Sequence, residues 1–280
     1  MLPDFIIVGT AKSGTSTLAH HLRQHPDIYM PSADVHFFYE SGKGKWGNGV
    51  QWYKEQFQAA DSGQIIGEKT PTYSYLPSVA KRIHDVLPGV KLIWLFRNPI
   101  DRAYSNYWHV ATYDGKEYLS FEQAIKREAK RSIGKKYLRR SKYCEQVGRY
   151  LEHFSKEQMH FIVFEELKNK PKSVLSDLLQ FLDVDSDYAK KLKPDTKKNS
   201  TNIPRSILIN YISRCAVRKS PILRPVMSRI VRKLNQMLNR RWTPGYPEMD
   251  QELRERLEDH FKPYNRQLER QTGLDLSVWS

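Results

Sequence analysis

A strand, a glycine-containing loop and the start of a helix follow one another near the beginning of this chain, and this arrangement most constrains its fold. The apolar run Phe5–Val8 has the length and composition of a buried strand. It leads into Gly9-Thr10-Ala11-Lys12-Ser13-Gly14-Thr15-Ser16-Thr17, which is followed by helical residues. The amides of such a loop point inward and the helix dipole adds partial positive charge. The segment therefore predicts a cradle for an anion.

The loop differs from the ATP- and GTP-binding P-loop, G-x-x-x-x-G-K-[ST], in the position of its lysine. Gly9 and Gly14 have the P-loop spacing, but no lysine follows the second glycine, and Lys12 lies inside the loop instead. P-loop NTPases also hold magnesium with an Asp near a strand end, whereas the apolar run Lys91–Phe96 ends in Arg97. The loop is therefore poorly suited to a magnesium triphosphate, and it indicates a shorter anion bound without a metal.

Apolar runs of strand length alternate with helical patterns along the chain. The strand predictions are Phe5–Val8, Gln64–Gly67, Lys91–Phe96 and Met159–Phe164. Between them, apolar residues recur at spacings of three and four, which is typical of helices packed on a sheet. We therefore expect an α/β chain with a P-loop-like three-layer fold, in which a central parallel sheet of about four to five strands is flanked by helices. A helical C-terminal part should complete a single domain over residues 1–280.

Between Asp195 and Glu248 there are twelve basic residues and no acidic one, within a formal net charge of +15. A segment of one sign attracts anions, but charge alone does not choose among a nucleotide, an acidic glycan, a lipid headgroup and a nucleic acid. This basic segment, residues 197–241, precedes the C-terminal helix and has helical patterns of its own. One apolar stripe, expected to dock on the core, comprises Ile207, Leu208, Tyr211, Ile212 and Cys215.

Two absences bear on location. No apolar run is long enough to span a bilayer, and no secretory signal pattern precedes the first strand. One bridge between Cys144 and Cys215 is possible, but two cysteines do not make a disulfide scaffold in a chain of 280 residues. We therefore expect a cytoplasmic protein in a reducing compartment.

Other polar candidates follow the predicted strands, where ligands bind in open α/β sheets. Arg97 can fork onto a phosphate, and Ser105, about two helical turns later, can donate to the same group. Lys69 would face the same crevice. Taken singly, Arg97 is better explained by a surface ion pair and Ser105 by an ordinary helix serine, and Lys69 is explained equally well by a solvated loop lysine.

Asp34 and His36 alternate with apolar residues, so they could share one face of an extended segment. A carboxylate and an imidazole together form a plausible acid/base pair. The alternative is a turn aspartate beside a structural histidine.

Together these segments resemble the sulfotransferases that use 3′-phosphoadenosine 5′-phosphosulfate (PAPS), in particular heparan-sulfate-type and related bacterial carbohydrate sulfotransferases. The resemblance covers most of the chain and is carried by GTAKSGTSTL, HPDIYMPSADVHFF, GEKTPTY, LIWLFRNPIDRAYSNYWH, FIVFEEL and the tail YPEMDQELRERLEDHFKPYNRQLERQTGLDLSVW. It implies that the 5′-phosphosulfate is bound by Lys12, Ser13, Gly14, Thr15, Ser16 and Thr17. It also implies that Arg97 and Ser105 bind the 3′-phosphate.

The resemblance further implies the residues of the reacting centre. Lys69 matches a lysine needed near the transferring group, and His36 matches a histidine beside the family's catalytic acid. That acid is usually a glutamate after a basic residue, whereas Asp34 follows an alanine here. Heparan-type relatives often have a basic, disulfide-closed loop before the tail; this chain has Arg240 and Arg241 without a nearby cysteine, and either could approach the nucleotide.

The function expected from the resemblance is sulfuryl transfer from PAPS to a hydroxyl or amine of an acceptor, with adenosine 3′,5′-bisphosphate released and no metal required. Asp34, alone or with His36, would take the proton, while Lys12 and Lys69 neutralise developing charge. The expected acceptor is a glycan or glycolipid. No specific nucleic acid is expected as a partner, and peripheral contact with a membrane is compatible with the basic segment.

Two other classes of protein remain as alternatives. A P-loop NTPase or small-molecule kinase is disfavoured by the missing Gly-Lys-Ser/Thr and strand-end Asp. A non-enzymatic polyanion-binding protein would explain residues 197–241 but not the phosphate loop with its companion motifs.

Overall fold

The computed structural model describes residues 1–132, 135–191, 203–219 and 245–279. Its centre is a parallel sheet of five strands in the order β2-β3-β1-β4-β5. The strands are β1 (Phe5–Gly9), β2 (Ile28–Tyr29), β3 (Ile65–Lys69), β4 (Lys91–Phe96) and β5 (Met159–Val163). The predicted three-layer α/β fold with a parallel sheet is confirmed. Strand β2 was not predicted, because two residues carry no alternation pattern.

Helices follow most of the strands, as the alternating pattern predicts. In the described ranges the α-helices are α1 (Thr15–Leu22), α2 (Gly49–Glu55), α3 (Val79–Val86), α4 (Pro99–His109), α5 (Phe121–Lys126), α6 (Tyr143–Leu151), α7 (Phe164–Asn169), α8 (Pro171–Phe181), α9 (Tyr188–Lys191), α10 (Ile207–Lys219) and α11 (Gln251–Thr272). A π-helical turn, Val110–Asp114, continues α4. None of the helices in these ranges combines the length and hydrophobicity needed to cross a bilayer.

The described residues form two compact units. The first comprises residues 1–98, 142–191 and 261–279, and it contains the whole sheet. The second comprises residues 99–132, 135–141, 203–219 and 245–260. The expectation that residues 1–280 form a single domain stays a prediction.

In the first unit, β1 shows how the sheet is buried on both faces. Ile6 and Val8 belong to one apolar cluster, and Phe5 and Ile7 belong to the other. The first cluster includes Val79, Ala80 and Ile83 of α3 and Tyr143, Val147 and Tyr150 of α6. The second includes Leu18, Ala19 and Leu22 of α1 and Leu175, Leu178 and Leu179 of α8. Alternate residues of one strand therefore anchor helices on opposite faces, as period-2 side-chain geometry requires.

The strand register brings three chain segments together at the carboxyl edge of the sheet. Ile7 pairs with Lys69, and the Thr70 amide donates to Ile7 O at 3.2 Å. On the other side of β1, the Thr10 amide donates to Leu95 O at 2.8 Å. The loop after β1 therefore lies between the ends of β3 and β4, where ligands bind in open α/β sheets.

The second unit includes α10, whose orientation differs from the prediction. Leu208 and Ile212 of the apolar stripe are 52% and 57% exposed, whereas Asn210 is buried. The Asn210 Nδ2 donates to the Ala111 carbonyl at 2.6 Å. The expected docking of the whole stripe is therefore wrong, because α10 turns a polar side chain inward to satisfy a backbone acceptor.

Cys144 and Cys215 are both free thiols, which agrees with the expectation that they form no disulfide scaffold. The basic segment has a second apolar stripe, between Leu223 and Leu238, which lies outside the described residues.

Candidate functional site

The loop after β1 is fixed by bonds among its own residues and to β4. The Thr10 amide and hydroxyl both donate to Leu95 O, at 2.8 and 2.9 Å. Thr10 Oγ1 also lies 2.7 Å from Ser13 Oγ. Because the single Thr10 hydroxyl proton is used on Leu95, Ser13 is the donor in this contact. Ser13 is fully buried, so its side chain shapes the loop.

Gly14 is required by both backbone conformation and packing. Its φ of 91° lies in the left-handed region, which favours glycine. A Cβ at this position would lie 2.7 Å from Cδ2 of Phe164, the first residue of α7. The loop can therefore pass close to this ring only because Gly14 has no side chain.

Helix α1 begins directly after Gly14 and points its N-terminus at the loop. Its first residues, Thr15, Ser16 and Thr17, have amides without intrahelical acceptors, and no acidic residue lies in the first turn. Thr15 is buried, whereas the Ser16 and Thr17 side chains are exposed. The predicted strand, loop and helix start thus form the geometry of an anion cradle.

Arg97 lies beside this loop. Its Nη1 donates to Lys12 O at 3.5 Å, and its guanidinium lies 5.3 Å from the centroid of the Phe164 ring. The Arg97 carbonyl accepts from Tyr143 Oη at 2.9 Å. Lys12 itself has a φ of 78°. The structure therefore brings together the loop lysine and the strand-end arginine that the sequence singles out.

Lys69 and Asp34 meet although they are 35 residues apart in the chain. Lys69 Nζ donates to Asp34 Oδ1 from the end of β3. The lysine side chain is 9% exposed and the aspartate side chain 30% exposed. The pair thus places a nearly buried cation against a carboxylate that still reaches solvent.

His36 is held in place by neighbours on both sides. Its amide donates to Thr70 Oγ1 at 3.2 Å, and its Nδ1 lies 2.7 Å from Tyr39 Oη. Its φ of 59° is left-handed, so the extended segment predicted for Asp34 and His36 is wrong. Burial lowers the pKa of His36 more than the nearby Asp34 raises it. The imidazole is therefore biased toward its neutral form.

Asp34 and His36 open onto a cavity of about 460 Å³ in the first unit. The cavity is also lined by Lys43, Lys45 and Trp52, together with Gln56 and several small or apolar residues. A carboxylate and an imidazole thus face the same space as two ammonium groups and an aromatic ring.

Sequence reasoning missed one buried carboxyl group next to Lys69. Glu68 is fully buried and accepts hydrogen bonds from Thr70 Oγ1 at 2.8 Å, from Tyr73 Oη at 2.7 Å and from Tyr53 Oη. Burial raises the pKa of Glu68 to about 7. The available signal was an acidic residue inside an otherwise buried strand, since such a charge needs local partners.

Two further sets of predicted site residues do not lie in the part of the first unit described above. Ser105 is a buried residue of α4 in the second unit, with its hydroxyl 3.3 Å from Tyr246 Oη. Its joint action with Arg97 stays a prediction. Arg240 and Arg241 lie outside the described residues.

The sequence and the fold were compared with those of known proteins. The family model described as "Sulfotransferase domain" matches residues 2–272. The crystal structure of a sulfotransferase from Alicyclobacillus acidocaldarius is 30% identical with a TM-score of 0.73, and the match covers 100% of this chain and 99% of that one.

Two curated relatives carry names that mention heparan sulfate. Human heparan sulfate glucosamine 3-O-sulfotransferase 5 is 32% identical over 190 residues, or 65% of this chain. The bifunctional heparan sulfate N-deacetylase/N-sulfotransferase 1 of Caenorhabditis elegans is 31% identical over 194 residues, also 65% of this chain. This chain spans 54% of the human protein and 22% of the nematode protein.

Proposed function

We propose that this chain, which belongs to the sulfotransferase domain family, transfers a sulfuryl group from PAPS to a hydroxyl or amine of a carbohydrate acceptor. The observation that carries the proposal is the ion pair between Lys69 and Asp34. It joins the carboxyl edge of the sheet, where the anion loop lies, to a cavity that can admit an acceptor.

The shape of the loop supports PAPS as the donor. The amides at the start of α1 and the Lys12 ammonium suit the 5′-phosphosulfate, and Ser13 keeps the loop in its conformation. Arg97, which lies against the Lys12 carbonyl, is assigned to the 3′-phosphate. Ser105 is assigned to the same phosphate from the sequence resemblance alone.

The lining of the cavity supports a carbohydrate as the acceptor. A sugar presents apolar C–H faces that pack on an aromatic ring such as Trp52 and hydroxyls that bond to polar groups such as Gln56. Lys43 and Lys45 add positive charge that suits an acidic sugar. The heparan sulfate in the names of the two curated relatives agrees with this acceptor class.

The proposed reaction is an in-line displacement at sulfur. The acceptor oxygen or nitrogen forms a bond to sulfur while the bond from sulfur to the 5′-phosphate oxygen breaks. The bonding electrons leave with adenosine 3′,5′-bisphosphate, and the acceptor proton passes to the Asp34 carboxylate. Lys12 and Lys69 offset charge that develops on the bridging and sulfuryl oxygens, an effect worth about 3 kcal/mol for one well-placed donor.

The position of the ion pair favours Asp34 over His36 as the proton acceptor. The Asp34 side chain lines the cavity, and Lys69 holds its carboxylate from the end of β3. His36 has its Nδ1 engaged with Tyr39, so we assign it to orienting the acceptor. The part of the rate enhancement that does not come from proton transfer and charge stabilisation is assigned to binding and orientation of the two substrates.

Calorimetry with two nucleotides separates this proposal from a P-loop NTPase. We expect adenosine 3′,5′-bisphosphate to bind equally well with and without EDTA, and we expect ATP with magnesium to bind much more weakly. Tight binding that is specific to magnesium and ATP would overturn the proposal.

A further inference from the structure

The buried Glu68 carboxylate is the centre of a hydrogen-bond cluster that reaches the loop of Asp34 and His36. Thr70 Oγ1 and Tyr73 Oη donate to Glu68 Oε1 at 2.8 and 2.7 Å, and Tyr53 Oη donates to Glu68 Oε2. These side chains come from β3, from α2 and from the turn after β3. One carboxylate thus fixes three hydroxyl groups.

Two of these hydroxyls are also acceptors for the backbone of the adjacent loop. Thr70 Oγ1 accepts from the His36 amide at 3.2 Å. Tyr73 Oη accepts from the Phe37 amide at 2.7 Å and from the Phe38 amide at 3.4 Å. A hydroxyl has one proton, so its lone pairs face the amides only while that proton is directed at the carboxylate.

Protonation of Glu68 would disturb this order. A carboxylic acid carries a proton of its own and must donate it to one of the three hydroxyls. A proton on Oε1 is donated to Thr70 or Tyr73, and that hydroxyl must then turn its own proton toward the loop amides. A proton on Oε2 is donated to Tyr53, which then loses its carboxylate acceptor within the same cluster. The three amides of residues 36–38 therefore keep their acceptors best when Glu68 is ionised.

We infer that Glu68 is a positioning residue whose ionised carboxylate holds the segment from His36 to Phe38, and with it Asp34 opposite Lys69. This inference rests on the proposed function for its effect on turnover. Its structural part, the ordering of the loop, stands without it. Asp34 is two residues from His36, so a displaced loop would separate the base from the acceptor.

The ionisable groups that surround Glu68 come from several elements. They are Asp34 and Tyr39 from the loop after β2, Tyr53 from α2, Tyr73 from the turn after β3 and Tyr150 from α6. The tyrosines stay neutral near pH 7, because burial raises the pKa of each of them. Burial raises the pKa of Glu68 as well, so its carboxyl titrates near neutrality.

The test compares the kcat of the wild type with that of Glu68→Gln from about pH 5.5 to about pH 8.5. Above neutrality we expect the variant to be slower, on the order of 10²-fold, since small displacements of catalytic groups have effects of that size. As the pH falls, the ratio of the two kcat values should narrow, because the wild-type carboxyl becomes protonated.

Two control variants address nonspecific effects. Glu55→Gln makes the same substitution at an exposed position, and Tyr150→Phe removes a buried hydroxyl that has no hydrogen-bond partner among the described residues. Both should keep the wild-type kcat at every pH. Affinity for adenosine 3′,5′-bisphosphate should be unchanged in Glu68→Gln, since the donor loop is held by other contacts.

Amide hydrogen exchange at residues 36–38 tests the inference without turnover. Exchange there should be faster in Glu68→Gln and in Tyr73→Phe, which removes the acceptor of two amides while keeping the ring, so either variant suffices if the other fails to fold. Unchanged exchange, or a kcat ratio that is constant with pH, would overturn the inference. Absent sulfuryl transfer in the wild type would instead count against the proposed function, and the exchange result would still decide the role of Glu68.

Discussion

Lys69 and Asp34 form an ion pair between the last residue of β3 and the loop that follows β2. The lysine is almost buried, so its charge acts in a medium where water screens it weakly. The aspartate keeps part of its surface open to the cavity. The pair therefore combines a fixed positive charge with an accessible carboxylate, and the proposed sulfuryl transfer uses both groups.

The role of Asp34 can be tested with Asp34→Asn. We expect kcat to fall about 10²–10⁴-fold, the usual range for loss of a general base, while affinity for adenosine 3′,5′-bisphosphate is retained. Asp85→Asn is a matched control, because Asp85 is also paired with a lysine but is exposed on α3. A normal kcat in Asp34→Asn together with a large loss in His36→Ala would transfer the role of base to His36.

Gly14→Ala tests the close passage of the loop beside Phe164. The control is Gly63→Ala, because Gly63 has the same φ of 91° but a Cβ there would have no neighbour within 4 Å. Both changes should introduce strain of about 1–2 kcal/mol from the left-handed backbone. Only Gly14→Ala should add a clash, worth about 1–3 kcal/mol, and weaken nucleotide binding. Equal thermal unfolding and equal nucleotide affinity in the two variants would contradict this account.

The assignment of Arg97 to the 3′-phosphate predicts a change in nucleotide selectivity. The wild type should bind adenosine 3′,5′-bisphosphate more tightly than adenosine 5′-monophosphate, by about 10- to 100-fold for a lost charge-assisted contact. In Arg97→Ala this difference should vanish. Arg82→Ala is the control, because Arg82 also stacks on an aromatic ring, 4.7 Å from the centroid of Trp46. Preserved selectivity in Arg97→Ala would exclude the assignment.

The buried carboxyl of Glu68 predicts how stability depends on pH. Its pKa is raised from 4.5 to about 7, so between these values the folded state binds a proton that the unfolded state has lost. The free energy of unfolding should therefore fall as the pH rises through this window, by about 3 kcal/mol at 1.36 kcal/mol per pKa unit. The free energy of unfolding of Glu68→Gln, measured with denaturant, should lack this decline with pH. Parallel pH profiles of the unfolding free energy in the two proteins would contradict the assignment of the decline to Glu68.

Features that depend on neighbouring residues in the chain could be predicted from the sequence. The loop between Gly9 and Thr17 is such a case, because strand, glycine spacing and helix start are all local. The alternation of strand and helix patterns predicted the parallel sheet. The apolar run that forms β4 predicted that Arg97 follows the end of a strand. These predictions needed only periodicity and the rule that ligands bind at carboxyl ends of strands.

Features that depend on tertiary pairing could not be predicted in the same way. The partners of Glu68 are brought to it from α2 and from the turn after β3, and nothing in their spacing indicates a shared carboxylate. The backbone turn at His36 depends on contacts with Thr70 and Tyr39, so apolar alternation predicted the wrong conformation. In α10, the acceptor for Asn210 lies about a hundred residues earlier in the chain. The apolar stripe of α10 therefore predicted the wrong buried face for this helix.

Sulfuryl transfer is measured by incubating the purified chain with PAPS labelled with radioactive sulfate in EDTA. The acceptor panel contains unsulfated heparosan, N-sulfated heparosan, chondroitin and a simple phenol. We predict that the label enters a glycan, that adenosine 3′,5′-bisphosphate is released in equal amount, and that Asp34→Asn and Lys69→Ala nearly abolish both. Absence of transfer to every glycan, or transfer of phosphate from ATP that requires magnesium, would contradict the account.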